Sequence, residues 1–104
     1  MTAAPQLDPV IHAPNRLQIC ALLLPLAEAE FAVLRDELGV SDSVLSKHIK
    51  QLEEAGYLKV RKGAMNGRQR TWTSLTAKGR AAFAAHVAEL QRLADVANGR
   101  DTED

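Results

Sequence analysis

Apolar residues recur at three- and four-residue spacings through most of the chain, and at two-residue spacing in a short stretch after Gly56. The first period lines one face of a helix; the second lines one face of a strand. Asp8 followed by Pro9 predicts a capped short helix to about His12, and Asn15 after Pro14 predicts the cap of a second helix ending at Leu24. Leu17, Ile19, Cys20, Leu23 and Leu24 form its stripe, and Pro25 cannot continue the backbone ladder. A third helix is predicted from about Glu28 to Leu38, with Phe31, Leu34 and Leu38 on one side and acids in the first turn, where the helix dipole favours them. Gly39 ends it, and Ser41 caps a fourth helix almost at once, so the pair is a helix-turn-helix candidate.

In "YLKVRK", Leu58 and Val60 alternate with Lys59 and Arg61, the pattern of a half-buried strand. "GAMNGRQ" reverses the chain at Asn66-Gly67, and "RTWTSL" resumes the extended pattern, giving a hairpin with a basic tip. Thr76 then caps a last helix from Ala77 to about Ala97. The predicted order is α-α-α-α-β-β-α: a mainly α chain with a small β-hairpin, of the α+β class. One domain is expected over residues 7–98, with flexible tails at 1–6 and 99–104, the latter acidic.

Around the fourth helix, at 100° per residue from Leu45, Ile49 and Leu52 fall within about 40° of the core direction, with His48 on the flank. Ser43, Lys47 and Lys50 lie on the far side, with Ser46 and Asp42 between the faces. Short hydroxyls and long cations are the side chains that bond phosphates and base edges in a major groove. A solvated face would look the same taken alone. The basic hairpin tips the balance, because Lys62, Arg68 and Arg70 supply cations suited to a neighbouring phosphate or minor groove. Glu53 and Glu54 come at the helix end, where they are expected to stay clear of phosphates. Asp42 fits least well: it either strengthens the helix start through the dipole or accepts from a cytosine amino group.

The charge balance sharpens this. Thirteen Lys and Arg against thirteen Asp and Glu give no net charge over the 104 residues. Yet between Asp42 and Arg80 nine cations face three acids, a net +6, flanked on each side by a segment of net −3. A positive block that coincides with a reading element is the footprint of a polyanion binder.

"GVSDSVLSKHIKQLEEAGYLKVRK", followed by the basic hairpin and "SLTAKGR", resembles the winged-helix transcriptional regulators of the broad MarR and ArsR kind. "LDPVIHAPNRLQICALL" looks like their first helices, so the resemblance covers roughly Leu7 to Leu93, and is strongest to the small stand-alone MarR-like proteins. It implies a recognition helix over 42–55, a wing over 62–70 and a dimer interface on the terminal helices.

The last helix supports the dimer independently. Phe83, Val87, Leu90, Ala94 and Ala97 form a heptad-like stripe broadened by Leu93 and Val96. A helix of that length spans ~31 Å, more than a small domain needs to cover its core, and two-fold pairing would set two recognition helices about one duplex turn apart.

Other chemistry is thin. His12, His48 and His86 are far apart in sequence, His86 and Glu89 make at best a surface pair, and the single Cys20 reads as a small core residue, so neither a metal nor another cofactor is expected. No nucleophile-base spacing or phosphate-cradling glycine loop suggests an enzyme. Trp72 fits cross-strand packing. The lone cysteine, the absence of a basic start leading into an apolar run, and an apolar stretch, "ICALLLPLA", about half a membrane span in length predict a cytoplasmic protein without a membrane role. The expected function is a sequence-specific, homodimeric regulator of double-stranded DNA, on a palindromic operator. The alternatives are a winged-helix protein-interaction module, or a sensor with a small-molecule pocket at the dimer interface.

Overall fold

Asp8 starts the first helix as predicted: its carboxylate accepts from the N–H groups of Val10 and Ile11 at 2.9 and 3.3 Å, and Pro9 occupies the first turn, where no N–H is required. The computed structural model describes residues 6–99. Its elements are α1 (Pro9–His12), α2 (Pro14–Leu23), β1 (Ala29–Glu30), α3 (Phe31–Leu38), α4 (Asp42–Glu54), β2 (Leu58–Met65), β3 (Arg68–Leu75) and α5 (Ala77–Ala97). The α+β class and the helix order are as expected, with one strand added. Most of each expected tail, residues 1–5 and 100–104, lies outside the described residues.

The added strand corrects the third helix. Ala29 and Glu30, expected within a helix from Glu28, pair antiparallel with Thr73 and Trp72 of β3, so the sheet order is β1-β3-β2. Pairing satisfies backbone groups that would otherwise be left at an open sheet edge. The helix therefore starts at Phe31, with no acid in its first turn. A second correction concerns Asn15, which does not cap α2: Pro14 opens that helix with Ala13 before it and no side-chain cap. Asn15 instead places its Nδ2 3.4 Å from His48 Nε2.

Ser41 and Thr76 cap as predicted, accepting from the N–H groups of Val44 and Gly79 at 3.2 and 2.9 Å. Gly39 takes the left-handed conformation that lets the chain leave α3 and enter α4 within a few residues. At the hairpin tip both Asn66 (φ 54°) and Gly67 (φ 75°) are left-handed, as a two-residue turn matching the strand twist requires. Ile11, Ile19, Leu23, Leu34, Leu45 and Leu52 are buried almost completely, so the core is shared by α1 to α4. Leu58, Leu75 and Phe83 extend it under the sheet and α5.

α5 docks through its first half. Thr76 Oγ1 donates to the Gly56 carbonyl at 2.7 Å, and a Cβ on Gly79 would lie 2.2 Å from the Tyr57 carbonyl oxygen, so the start of α5 meets the loop between α4 and β2 backbone to backbone. Beyond His86 no residue of α5 is buried. The radius of gyration is 16.2 Å, against about 13 Å for a compact domain of this size, which fits a second half of α5 that runs past the core. Phe83, expected on the dimer face, is turned into the protomer's own core at 7% exposure. Val87, Ala94 and Ala97 are exposed and Leu90 is half-buried.

Candidate nucleic-acid interface

The amphipathic pattern of α4 sends Leu45, Ile49 and Leu52 inward and leaves Ser43, Ser46, Lys47 and Lys50 exposed. Ser43 Oγ lies 3.2 Å from Ser41 Oγ, so its hydroxyl leans on the helix cap while staying on the surface. Asp42 is engaged from the neighbouring helix: its Oδ1 accepts from Arg35 Nη1 at 2.9 Å, and Arg35 also holds Asp36 at 3.0 Å. Its two hydrogen-bonded carboxylates, Asp42 first, raise the Arg35 pKa. Asp42 sits in the first turn of α4, where the expected dipole role requires it, and the bond to Arg35 adds a further role by tying the start of α4 to α3.

Ser46 and Lys50 share a cleft of about 410 Å³ with Lys62 and Thr71 from the hairpin, over a floor of Phe31, Ile49 and Val60. Helix and wing thus present their hydroxyls and ammonium groups to one volume. Glu53 lines the same cleft, so this acid is not clear of the basic face as its position at the helix end suggested.

Strand register divides the wing. Lys62 pairs with Thr71 and Val60 with Thr73, so these residues share the face turned to α4 and the core. Arg61 opposite Trp72, Gly63 opposite Arg70 and Met65 opposite Arg68 lie on the other face. The three wing cations taken together from the sequence therefore occupy two faces. Arg70 is also committed: its Nη1 donates to Glu30 Oε1 at 2.5 Å, and it is only half exposed. Arg61 donates to Glu28 at 2.6 Å and stacks 4.1 Å over the Trp72 ring, which fits the packing role expected for Trp72. The hydrogen bond to Arg61 lowers the Glu28 pKa. Arg68 lines a smaller cleft of about 270 Å³ with Arg70, Glu30 and the start of α3.

Arg16 was missed in the sequence. From α2 its Nη1 donates to Gln51 Oε1 at 2.6 Å and lies 3.2 Å from His48 Nδ1, while its Nε donates to the Val10 carbonyl. α4 is therefore braced from behind by a guanidinium. Burial, then the positive charges of Arg16 and Lys47, lowers the His48 pKa. The available signal was a cation interrupting an apolar helix, which spacing alone cannot aim.

Cys20 is enclosed in the core, where burial and then Asp8 raise its thiol pKa to about 11, so the reactive thiolate is suppressed. Among the described residues no group of three or more His, Cys, Asp or Glu could hold a metal ion. His12 and His86, far apart in sequence, are in contact in space, and His86 is buried rather than on the surface beside Glu89. No helix among the described residues is long and apolar enough to cross a membrane.

Residues 15–94 match the family model described as a winged helix DNA-binding domain. The chain belongs to that family. This winged-helix protein is 38% identical over 84 residues to an uncharacterised protein of Methanocaldococcus jannaschii, covering 81% of this chain and 91% of that one. Its fold is similar to that of a transcriptional regulator homologue from Pyrococcus horikoshii, with a TM-score of 0.79, 28% identity, and coverage of 85% and 87% of the two chains. The Streptomyces coelicolor regulator PcaV, solved with its natural ligand, shares the fold at a TM-score of 0.73 and 16% identity, over 89% of this chain and 64% of that one. The family and fold are those of a small winged-helix transcription regulator and not of an enzyme.

Proposed function

We propose that this protein binds double-stranded DNA sequence-specifically as a homodimer, with α4 in the major groove and the hairpin on the adjacent backbone or minor groove. The observation that carries this reading is the convergence of Ser46 and Lys50 with Lys62 on one cleft, beside the exposed Ser43 and Lys47. Lysines neutralise phosphates, whereas serines at helix positions facing the groove reach base edges. Arg68 extends the contact along the other face of the wing. Arg70, held by Glu30, acts through the shape of the wing unless DNA displaces that acid. The fold supports a cytoplasmic regulator, where its duplex target is found.

The homodimer is supported by α5, whose second half presents Val87, Ala94, Val96 and Ala97 outward with Leu90 and Leu93 half-exposed. Two-fold pairing along this stripe would repeat the reading head and match a palindromic operator.

Selection from a random duplex pool, followed by binding measured across a salt series, tests the reading. Affinity should fall on a log-log plot with a slope of about −0.9 per phosphate contacted. The double variant Lys47→Ala, Arg68→Ala should weaken binding at least tenfold by the loss of two such contacts, roughly 1.4 kcal/mol or more. A salt-independent affinity, or no loss in the double variant, would overturn the assignment.

A further inference from the structure

Among the described residues the buried polar side chains are Thr73 and His86, and DNA recognition uses neither. The His86 ring, 1% exposed, is packed between α1 and α5. Its Nδ1 lies 3.1 Å from the backbone N–H of Asp8, a group that can only donate, so Nδ1 carries no proton. The neutral ring then keeps its proton on Nε2, 3.2 Å from Nδ1 of His12, and donates it there. A further proton has no acceptor at either contact. On His86 Nδ1 it would point at the Asp8 N–H; on His12 Nδ1 it would point at the Nε2–H of His86.

The surrounding charges are already engaged. The Asp8 carboxylate is occupied by the N–H groups of Val10 and Ile11 on Oδ1 and by the Tyr57 hydroxyl on Oδ2 at 2.5 Å. That hydrogen bond raises the Tyr57 pKa to about 12. Lys78 lies over the Tyr57 ring, and Cys20 of α2, near Asp8, is kept as the thiol. Glu89, on α5 beside His86, accepts from Arg92 and from the Gln6 N–H, which lower its pKa to about 2. Burial and then the His12 ring hold His86 below the ordinary histidine range, while Asp8 opposes them.

We propose that His12 and His86 form an acid-released latch: as neutral rings they lock α1 onto α5, and a proton on either ring breaks one of the two hydrogen bonds and frees α1. The sign follows from the protonation states. A released His86 imidazole titrates near pH 6.5, whereas His86 held in the latch resists the proton. The hold is therefore complete above that pH and is lost as the pH falls below it. Release would uncover Ile11 and remove one support from the first half of α5. Any effect on the spacing of two reading heads rests on the proposed homodimer; the latch itself does not.

Amide exchange of the full chain by NMR, corrected for intrinsic rates, reads the latch directly and needs no DNA. Protection of the Asp8 and His12 amides should fall at least tenfold between about pH 7.5 and about pH 5.5. The double variant His12→Gln, His86→Gln removes both titrating rings, while the carboxamide at position 86 still offers an oxygen to the Asp8 N–H and an NH₂ group to the carboxamide at position 12, so its protection should stay constant within about threefold over that range. Unchanged protection in the parent chain, or the same loss in the double variant, overturns the latch. Should that variant fail to fold, the ¹⁵N shifts of the parent's imidazoles decide. A bare Nδ1 with Nε2–H on His86 near neutral pH is the expected result, and a proton on Nδ1 overturns it.

Discussion

Gly79 shows how a close contact can invert a general preference. Replacing glycine by alanine inside a helix ordinarily gains up to about 1 kcal/mol. Here the new methyl would sit 2.2 Å from the Tyr57 carbonyl oxygen, which is itself held by the Thr76 N–H at 3.0 Å, so the obstacle is backbone. Overpacking of this kind costs about 1–3 kcal/mol, and the strained geometry puts this site at the upper end. Gly79→Ala should therefore destabilise the protein by about 1–2 kcal/mol net, seen as a lower urea midpoint with an unchanged slope. Nothing in "LTAKGR" reveals this, because the partner oxygen belongs to the loop that leads into β2, well before the helix in the chain. The caps at Asp8, Ser41 and Thr76 were legible for the opposite reason, since each bonds an N–H two or three residues ahead. Asp42 was legible as an oddity only, its Arg35 partner lying on another helix.

At the level of elements, the recognition helix and the hairpin could be placed from periodicity and the Asn66-Gly67 turn alone. Their mutual approach could not. The shared cleft places Glu53 among Ser46, Lys50 and Lys62, and a carboxylate there lowers the local positive potential. Glu53→Gln should raise affinity for duplex DNA about threefold and steepen its salt dependence, measured by anisotropy at matched protein stability; weaker binding would mean that Glu53 itself accepts from a base. β1 escaped notice because two residues cannot display a period of two, and its pairing is decided by β3, far along the chain. The same distance hid the hold of Glu30 on Arg70, whereas the division of the wing cations follows from the register that the Asn66-Gly67 turn sets.

For the whole molecule, the length of α5 was predicted from its stripe and its Thr76 cap, while the allotment of that stripe depends on what the core leaves over. Phe83 is consumed by the protomer, and Val87, 44% exposed, is the first large apolar residue beyond it. If the exposed half of α5 pairs with a second copy, Val87→Asp should shift sedimentation from dimer to monomer, through an unpaired charge at the interface, and leave the monomer's fold intact. A variant that stays dimeric, with unchanged self-affinity, would move the interface elsewhere.

The register of the hairpin carries a rule of parity for the wing. Leu58 and Leu75 anchor its base in the core, and each step toward the tip alternates between the cleft side and the Trp72 side. An insertion of two residues in each strand between base and tip would lengthen the probe by about 7 Å and return every charge to its own side. An insertion of one in each strand would carry Lys62 away from Lys50 and send an arginine toward α4. Changes in wing length that preserve the shared cleft should thus come in even steps.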